Sequence, residues 1–243
     1  MVAPKAKQHP KNYEVLAQEL RSRIMSGEFP EGSQLPGERE LVLQTGRSRS
    51  SVREALRVLE SEGLLSKKTV GRYGGSIVQR TPDHTIRRQL DLFIRGRSIS
   101  FEDLLHTRQA IEPMLAQLAA VNRTDEDLAE IRRRTIALEM AFPDQRHLIT
   151  LLNLDWHIAV AAASHNELLN ALMTGISGAL KHASAIEDYG TDETCLGVIR
   201  AHRKILDAIE KGDATAARRR MERHLGAYEK ELAEFSPPQL ALS

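Results

Sequence analysis

Apolar positions in the first eighty residues fall into short periodic runs separated by turn-forming residues. Tyr13, Leu16, Leu20 and Ile24 recur at helical spacing, and Gly27 is a natural stop. After the turn-rich FPEGSQLPGE, a short helix is expected over 37–44, closed by Thr45 and Gly46. Val52, Ala55, Leu56 and Leu59 then share one face of a third helix, from about 48 to 62, which Gly63 ends. Ser48 and Ser50 can each cap it, and Ser51 with Glu54 has capping-box spacing, so its first residue is left open. Two β-prone stretches, LLSKKTV and SIV, flank the glycine-rich GRYGG and predict a hairpin. Three helices and a hairpin, with a tight turn between the second and third helices, describe a winged helix-turn-helix.

Thr81-Pro82 breaks this pattern, and from about 84 onward only helical periodicity remains. Six or seven helices are expected, over 84–96, 100–121, 124–141, 145–163, 166–188, 193–211 and 213–235. Short joints between them predict an antiparallel bundle. The expected fold is therefore mostly α. It divides into a basic arm (1–12), a winged helix-turn-helix (13–80), an all-α bundle (81–235) for effector binding and dimerisation, and a disordered tail (236–243).

Charge sharpens the picture. Residues 1–80 carry 14 Lys and Arg against 9 Asp and Glu, whereas the remainder carries 20 against 24. A basic front and an acidic back suit a polyanion-binding head on a body that avoids polyanions. On the third helix Ser50, Arg53 and Arg57 cluster within about 60° of one another, away from the apolar stripe, and Arg49 sits at its start. A recognition helix reads bases mostly from its N-terminal residues. Arg39, early in the second helix, can clamp the DNA backbone, and Lys67, Lys68 and Arg72 put positive charge on the wing. Each arginine taken singly also fits an ordinary solvated face.

No apolar run approaches the ~18 residues of a membrane span, and no signal-peptide pattern opens the chain. The lone Cys195 excludes an internal disulfide or a cysteine-rich zinc module. A cytoplasmic, nucleoid-associated protein is expected. In the bundle, three histidines fall on apolar faces of different helices. His157 lies among Leu154, Ile158 and Ala161, His202 among Val198, Ile205 and Ile209, and His224 between Met221 and Leu225. One such histidine is usually a packed core residue, but three facing a common interior can build a first-row metal site. Arg108, in line with Leu104, Ile111 and Leu115, asks for a carboxylate. An effector acid or the internal Glu112, one turn on, can supply it.

The run LPGERELVLQTGRSRSSVREALRVLESEGLL, followed by GRYGGSIV, resembles the DNA-binding domain of GntR-type regulators over roughly 13–79. That resemblance implies DNA contacts at Arg39, Ser48, Arg49, Ser50, Arg53 and the wing tip around Arg72 and Gly74. Gly37 stands where the family often has Ser or Ala, and glycine can still cap a helix. HTRQAIEP, DWHIAVAAASHN and AHRKILDAI resemble, more loosely, the FCD domain of the FadR-like branch. There three histidines and a carboxylate one turn before the first of them surround a divalent metal. Residue by residue this implies His157, His202 and His224, with Asn153 in the carboxylate's place. Asn153 can ligate through its carbonyl but brings no charge, so affinity falls unless a bound organic acid compensates. Asp155, at i−2 from His157, points to nearly the opposite side of the helix.

These readings lead to a homodimeric regulator that reads a near-palindromic double-stranded operator. It would be a repressor relieved by a small organic acid, which meets the metal (zinc or nickel) and Arg108. Two alternatives carry different expectations. In one the metal is structural, or is itself the signal. In the other, a metal-dependent enzyme, a histidine-held ion activates water. No glutamate stands beside a ligating histidine as in helical metalloproteases, and nothing resembles a nucleophile elbow.

Overall fold

The computed structural model describes residues 11–67, 75–79, 83–142, 144–184 and 191–234. Its contacts divide the chain into two compact units, Met1–Thr85 and Ile86–Ser243.

The first unit contains α1 (Asn12–Met25), α2 (Glu38–Thr45), α3 (Arg49–Ser61), β1 (Leu65–Lys67) and β2 (Ser76–Val78). The helix expected from Tyr13 starts one residue earlier, so Asn12 belongs to it and not to the arm. The Glu14 carboxylate accepts a hydrogen bond from the Lys11 backbone at 3.0 Å and closes a capping box around that start. At α3 the open choice of cap falls on Ser48, whose Oγ accepts from the Ser51 backbone N–H at 3.2 Å. Gly37 caps α2, and Gly46 ends it in the left-handed region at φ 65°, where a residue with a Cβ would be strained. Leu16, Leu20, Leu35, Leu41, Val52, Leu56, Leu59 and Val78 close into one core.

Of the expected first strand LLSKKTV, the last three residues lie outside the described residues. Leu65–Lys67 pairs antiparallel with Ser76–Val78, with Leu65 opposite Val78 and Lys67 opposite Ser76. The other edge of β2 is covered by a stretch whose proline and glycines read as turn. The Gly32 N–H donates to the Val78 carbonyl (2.8 Å), the Val78 N–H to Ser33 (2.9 Å) and the Leu35 N–H to Ser76 (2.9 Å). The expected wing tip, with Arg72 and Gly74, lies outside the described residues, as do most of the expected arm and all of the expected tail.

The second unit is helical throughout its described residues. Its elements are α4 (Asp83–Gly96), α5 (Phe101–Asn122), α6 (Asp125–Ala141), α7 (Arg146–Ala163), α8 (Glu167–Ser184), α9 (Asp192–Glu210) and α10 (Ala214–Glu234). The expected continuation of α8 to residue 188 lies outside the described residues. Ser100, Thr124 and Thr191 cap α5, α6 and α9, each accepting from a backbone N–H three residues on. The α5 helix packs against α7, α8, α9 and α10, and α6 lies against α7 and α9. Ala116, Ala119 and Ala120 of α5 are fully buried against Trp156, Ile205, Ile209, Ala217 and Met221. These small residues let α5 sit close to its neighbours, and so bring polar side chains from three other helices to its own. No helix among the described residues is long and apolar enough to cross a membrane.

Candidate functional site

Two constellations carry chemistry, one in each unit. In the first unit, α3 buries Val52, Ala55, Leu56 and Leu59 and turns its opposite face outward. Ser48, Arg49, Ser50, Arg53 and Arg57 are all exposed at or near its N-terminal half, and Arg39 is exposed on α2. Arg53 reaches Glu38 at 3.2 Å and Arg57 reaches Glu54 at 3.5 Å. Both pairs are solvent-exposed and thus weak, which leaves the guanidinium groups available to other partners. What holds α3 in place was not legible in the sequence. Arg21 of α1 grips Glu62 beyond the end of α3 with two bonds of 2.9 and 2.5 Å. Arg47, in the turn before α3, donates to the Asn12 carbonyl (2.9 Å) and to Glu19 (3.1 Å). In sequence these arginines look like any other basic residue of the head.

In the second unit, α7, α9 and α10 bring His157, His202 and His224 together. The Nε2 atom of His224 is 3.2 Å from that of His202 and 3.3 Å from that of His157. One potential ligand atom from each ring lies within 4.8 Å of the others. All three are deeply buried, at 1%, 0% and 8% exposure for His157, His202 and His224. Burial pushes His202 well below the usual imidazole range, helped by its neighbours His224, His157 and Arg108. His224 is pushed down to about 3, by burial first and by His157 next. Burial also lowers His157, although the adjacent Glu112 opposes it. The cluster thus holds neutral imidazoles, the form that binds metals.

Behind the cluster stands a chain of ionic contacts. Arg108 Nε pairs with Glu112 Oε1 one turn along α5, and Glu112 Oε2 meets Nδ1 of His157. Burial alone would raise the Glu112 carboxyl, but Arg108 and His157 outweigh it and hold it at about 2. An ionised Glu112 facing Nδ1 of His157 favours the tautomer that keeps its proton there, which leaves the Nε2 lone pair turned into the cluster. Arg108, weighed from sequence as an anchor for an effector acid or as an internal ion pair, is engaged by Glu112. Trp156 stacks on His202, with ring centroids 3.7 Å apart and planes 10° from parallel, and donates its indole N–H to Thr135 at 2.9 Å. Asn153 is buried on α7, one turn before His157. Asp155 is held away from the cluster by Arg134 at 3.1 Å and Lys181 at 2.5 Å. The Glu112–His157 contact was missed in sequence, because the periodicity of α5 places Glu112 with Arg108 but says nothing about which helix it faces.

These residues fit a first-row divalent ion. Two nitrogens each ~2.1 Å from one ion sit roughly 3.0–3.4 Å apart at octahedral or tetrahedral angles. The observed 3.2 and 3.3 Å separations fall in that range. One ligand already has its outer carboxylate in place, as metal-binding imidazoles generally do.

Comparison with known proteins agrees with both halves. Residues 12–71 match the family described as bacterial regulatory proteins, gntR family, and residues 103–227 match the FCD domain. The chain is 30% identical over 233 residues to an Escherichia coli K12 protein provisionally named as an L-lactate dehydrogenase operon regulatory protein. That alignment covers 92% of this chain and 87% of the relative. The chain is 31% identical to the Uxu operon regulator of Haemophilus influenzae, covering 93% and 84% of the two chains. Among solved structures, a GntR protein of Streptococcus agalactiae superposes with a TM-score of 0.61. It is 24% identical and covers 90% of this chain and 99% of its own, a likeness of fold.

Proposed function

This chain belongs to the gntR family of bacterial regulatory proteins and carries an FCD domain, and it is a transcriptional regulator rather than an enzyme; from that premise we propose that it is a ligand-relieved repressor whose bundle binds a small organic acid together with a divalent metal. In this reading two copies read a near-palindromic operator. Arg49, Ser50 and Arg53 of α3 face base edges and phosphates, Ser48 caps the helix beside them, and Arg39 clamps the backbone. The wing around Arg72 and Gly74 follows the adjacent groove.

The observation that carries the effector half is the convergence of three neutral imidazoles from three helices on one deeply buried point. His157, His202 and His224 would hold the ion, with the Asn153 carbonyl one turn before His157 as a fourth donor. The ion, when bound, supplies positive charge to an acid's carboxylate. The protein's own part is orientation. Arg108 and Glu112 fix the His157 ring, Trp156 fixes the His202 ring, and the apolar packing of α5 excludes water. Asn153 brings no charge, so an acid that brings its own binds more favourably here than in a site with a carboxylate in that place. Acid binding would then change operator affinity by the difference in its affinity for the two states of the head. One relative's name refers to an L-lactate dehydrogenase operon, which makes hydroxy acids the first class to test.

The test is the melting temperature of metal-stripped protein, alone and with zinc or nickel, across a panel of small carboxylic acids. A metal-dependent rise with one acid class, accompanied by loss of operator affinity, is the expected result. A rise with metal alone would favour the reading in which the metal is structural or is itself the signal. The engagement of Arg108 by Glu112 is the observation that keeps this second reading in play. No response to metal or to any acid would overturn both.

A further inference from the structure

The histidine cluster is sealed except on the side of His224, the most exposed of the three rings. There α9 and α10 diverge into a cleft of about 250 Å³, and His224 forms part of its lining. Arg200 and Lys204, one turn apart on α9, stand on one wall, and Arg220 and Arg223 of α10 stand on the other. Among the described residues, no acidic side chain lines the cleft. Arg220 is already committed, to Asp207 at 3.2 Å and to the Lys204 carbonyl. Among the described residues, no ion pair ties Arg200, Lys204 or Arg223 to a carboxylate.

Like charges one turn apart on a helix repel, and three cations left without a carboxylate around one concavity cost stability unless a ligand offsets them. Several basic residues on or just beyond the same helices are paired, Arg203 with Glu139, Lys211 with Asp207 and Arg218 with Glu222. In the cleft, by contrast, three basic side chains without a carboxylate partner come together. Its small volume and its buried histidine floor suit a compact anion rather than the extended backbone of a nucleic acid.

We propose that this cleft is the second half of the effector site and that it selects acids with two negative groups. One carboxylate enters toward His224 and the histidine cluster, while the other stays in the cleft against Arg200, Lys204 and Arg223. The proposal rests on the acid-sensing reading above and narrows its ligand class from small organic acids to dianionic ones. Lining charges of one sign would also raise the local concentration of such acids at the entrance.

The test uses full-length, zinc-loaded protein and two matched pairs of probes, lactate with malate and glycolate with tartronate. Within each pair the 2-hydroxy acid group is common and only the second carboxylate differs. Calorimetry is expected to show the dianion binding at least about tenfold more tightly than its monoanion partner. In R200Q/R223Q that preference should collapse to the monoanion level, while the melting temperature of the zinc-loaded protein does not fall and, with the repulsion relieved, rises. R200K/R223K should retain most of it. Equal affinities within the pairs, or a preference that survives R200Q/R223Q, would overturn the cleft assignment and leave the acid-sensing reading standing. If neither member of either pair binds, both fall together. Weakened operator binding by R200Q/R223Q without any acid present would also overturn the assignment, by making the cleft a DNA contact.

Discussion

Glu112 is buried between an arginine and a histidine, and its charge is what makes both tolerable there. The substitution Glu112→Gln keeps the shape but removes the charge that Arg108 pairs with and that faces Nδ1 of His157. Zinc affinity should fall about 10- to 100-fold in a competition titration, the usual effect of losing such an outer partner. Unchanged affinity would show that packing alone sets the ring. At the other unit, Arg49→Ala and Arg53→Ala should each weaken specific operator binding by roughly 1–3 kcal/mol if each makes a bidentate base contact. Equal losses on specific and random DNA would reduce them to phosphate contacts. The histidines were legible in the sequence because each interrupts an apolar stripe whose period is known. The Glu112–His157 and Trp156–His202 contacts were not, since they depend on how α5, α7 and α9 rotate against one another. Periodicity says which residues share a face, and only packing says what that face meets.

Among the elements, α3 shows how a local signal can leave two answers that the rest of the head decides between. Ser48 and Ser50 are equally good caps by type, and the bond to the Ser51 backbone places the start at Ser48. Ser48→Ala should therefore cost about 1 kcal/mol of stability, whereas Ser50→Ala should cost little. Denaturant unfolding of both variants distinguishes them, and a reversed order would move the helix start. The helices were readable almost to the residue, because each carries an apolar stripe and several open on a polar cap. The stretch Gly32–Leu35 was not, because its glycine and the nearby prolines mark a turn in sequence, while its backbone hydrogen bonds go to β2. Strand pairing at an edge needs only free backbone groups, which no side-chain pattern reveals.

For the molecule as a whole, each of the two units carries its own core, and the histidine cluster lies wholly within the second. A metal that binds there stabilises only the unit that folds around it. Calorimetry should accordingly resolve two transitions, with chelator lowering one of them by several degrees and leaving the other in place. Equal movement of both would show that the units unfold as one. The division of labour was visible in the sequence as a basic front and an acidic, helical back. What the cleft between α9 and α10 collects was not, because its four cations come from two helices and look, along each, like an ordinary polar face.

The ring stacked on His202 has one more consequence. Trp156 is the only tryptophan in the chain, so every photon of indole emission originates beside the histidine cluster. Whatever the imidazole face gains or loses in electron density, the indole reports, without a label and without a competing background. The protein comes with its own lamp wired to the site, and stopped-flow fluorescence can time the arrival of an ion or an acid before any effect on DNA is measured.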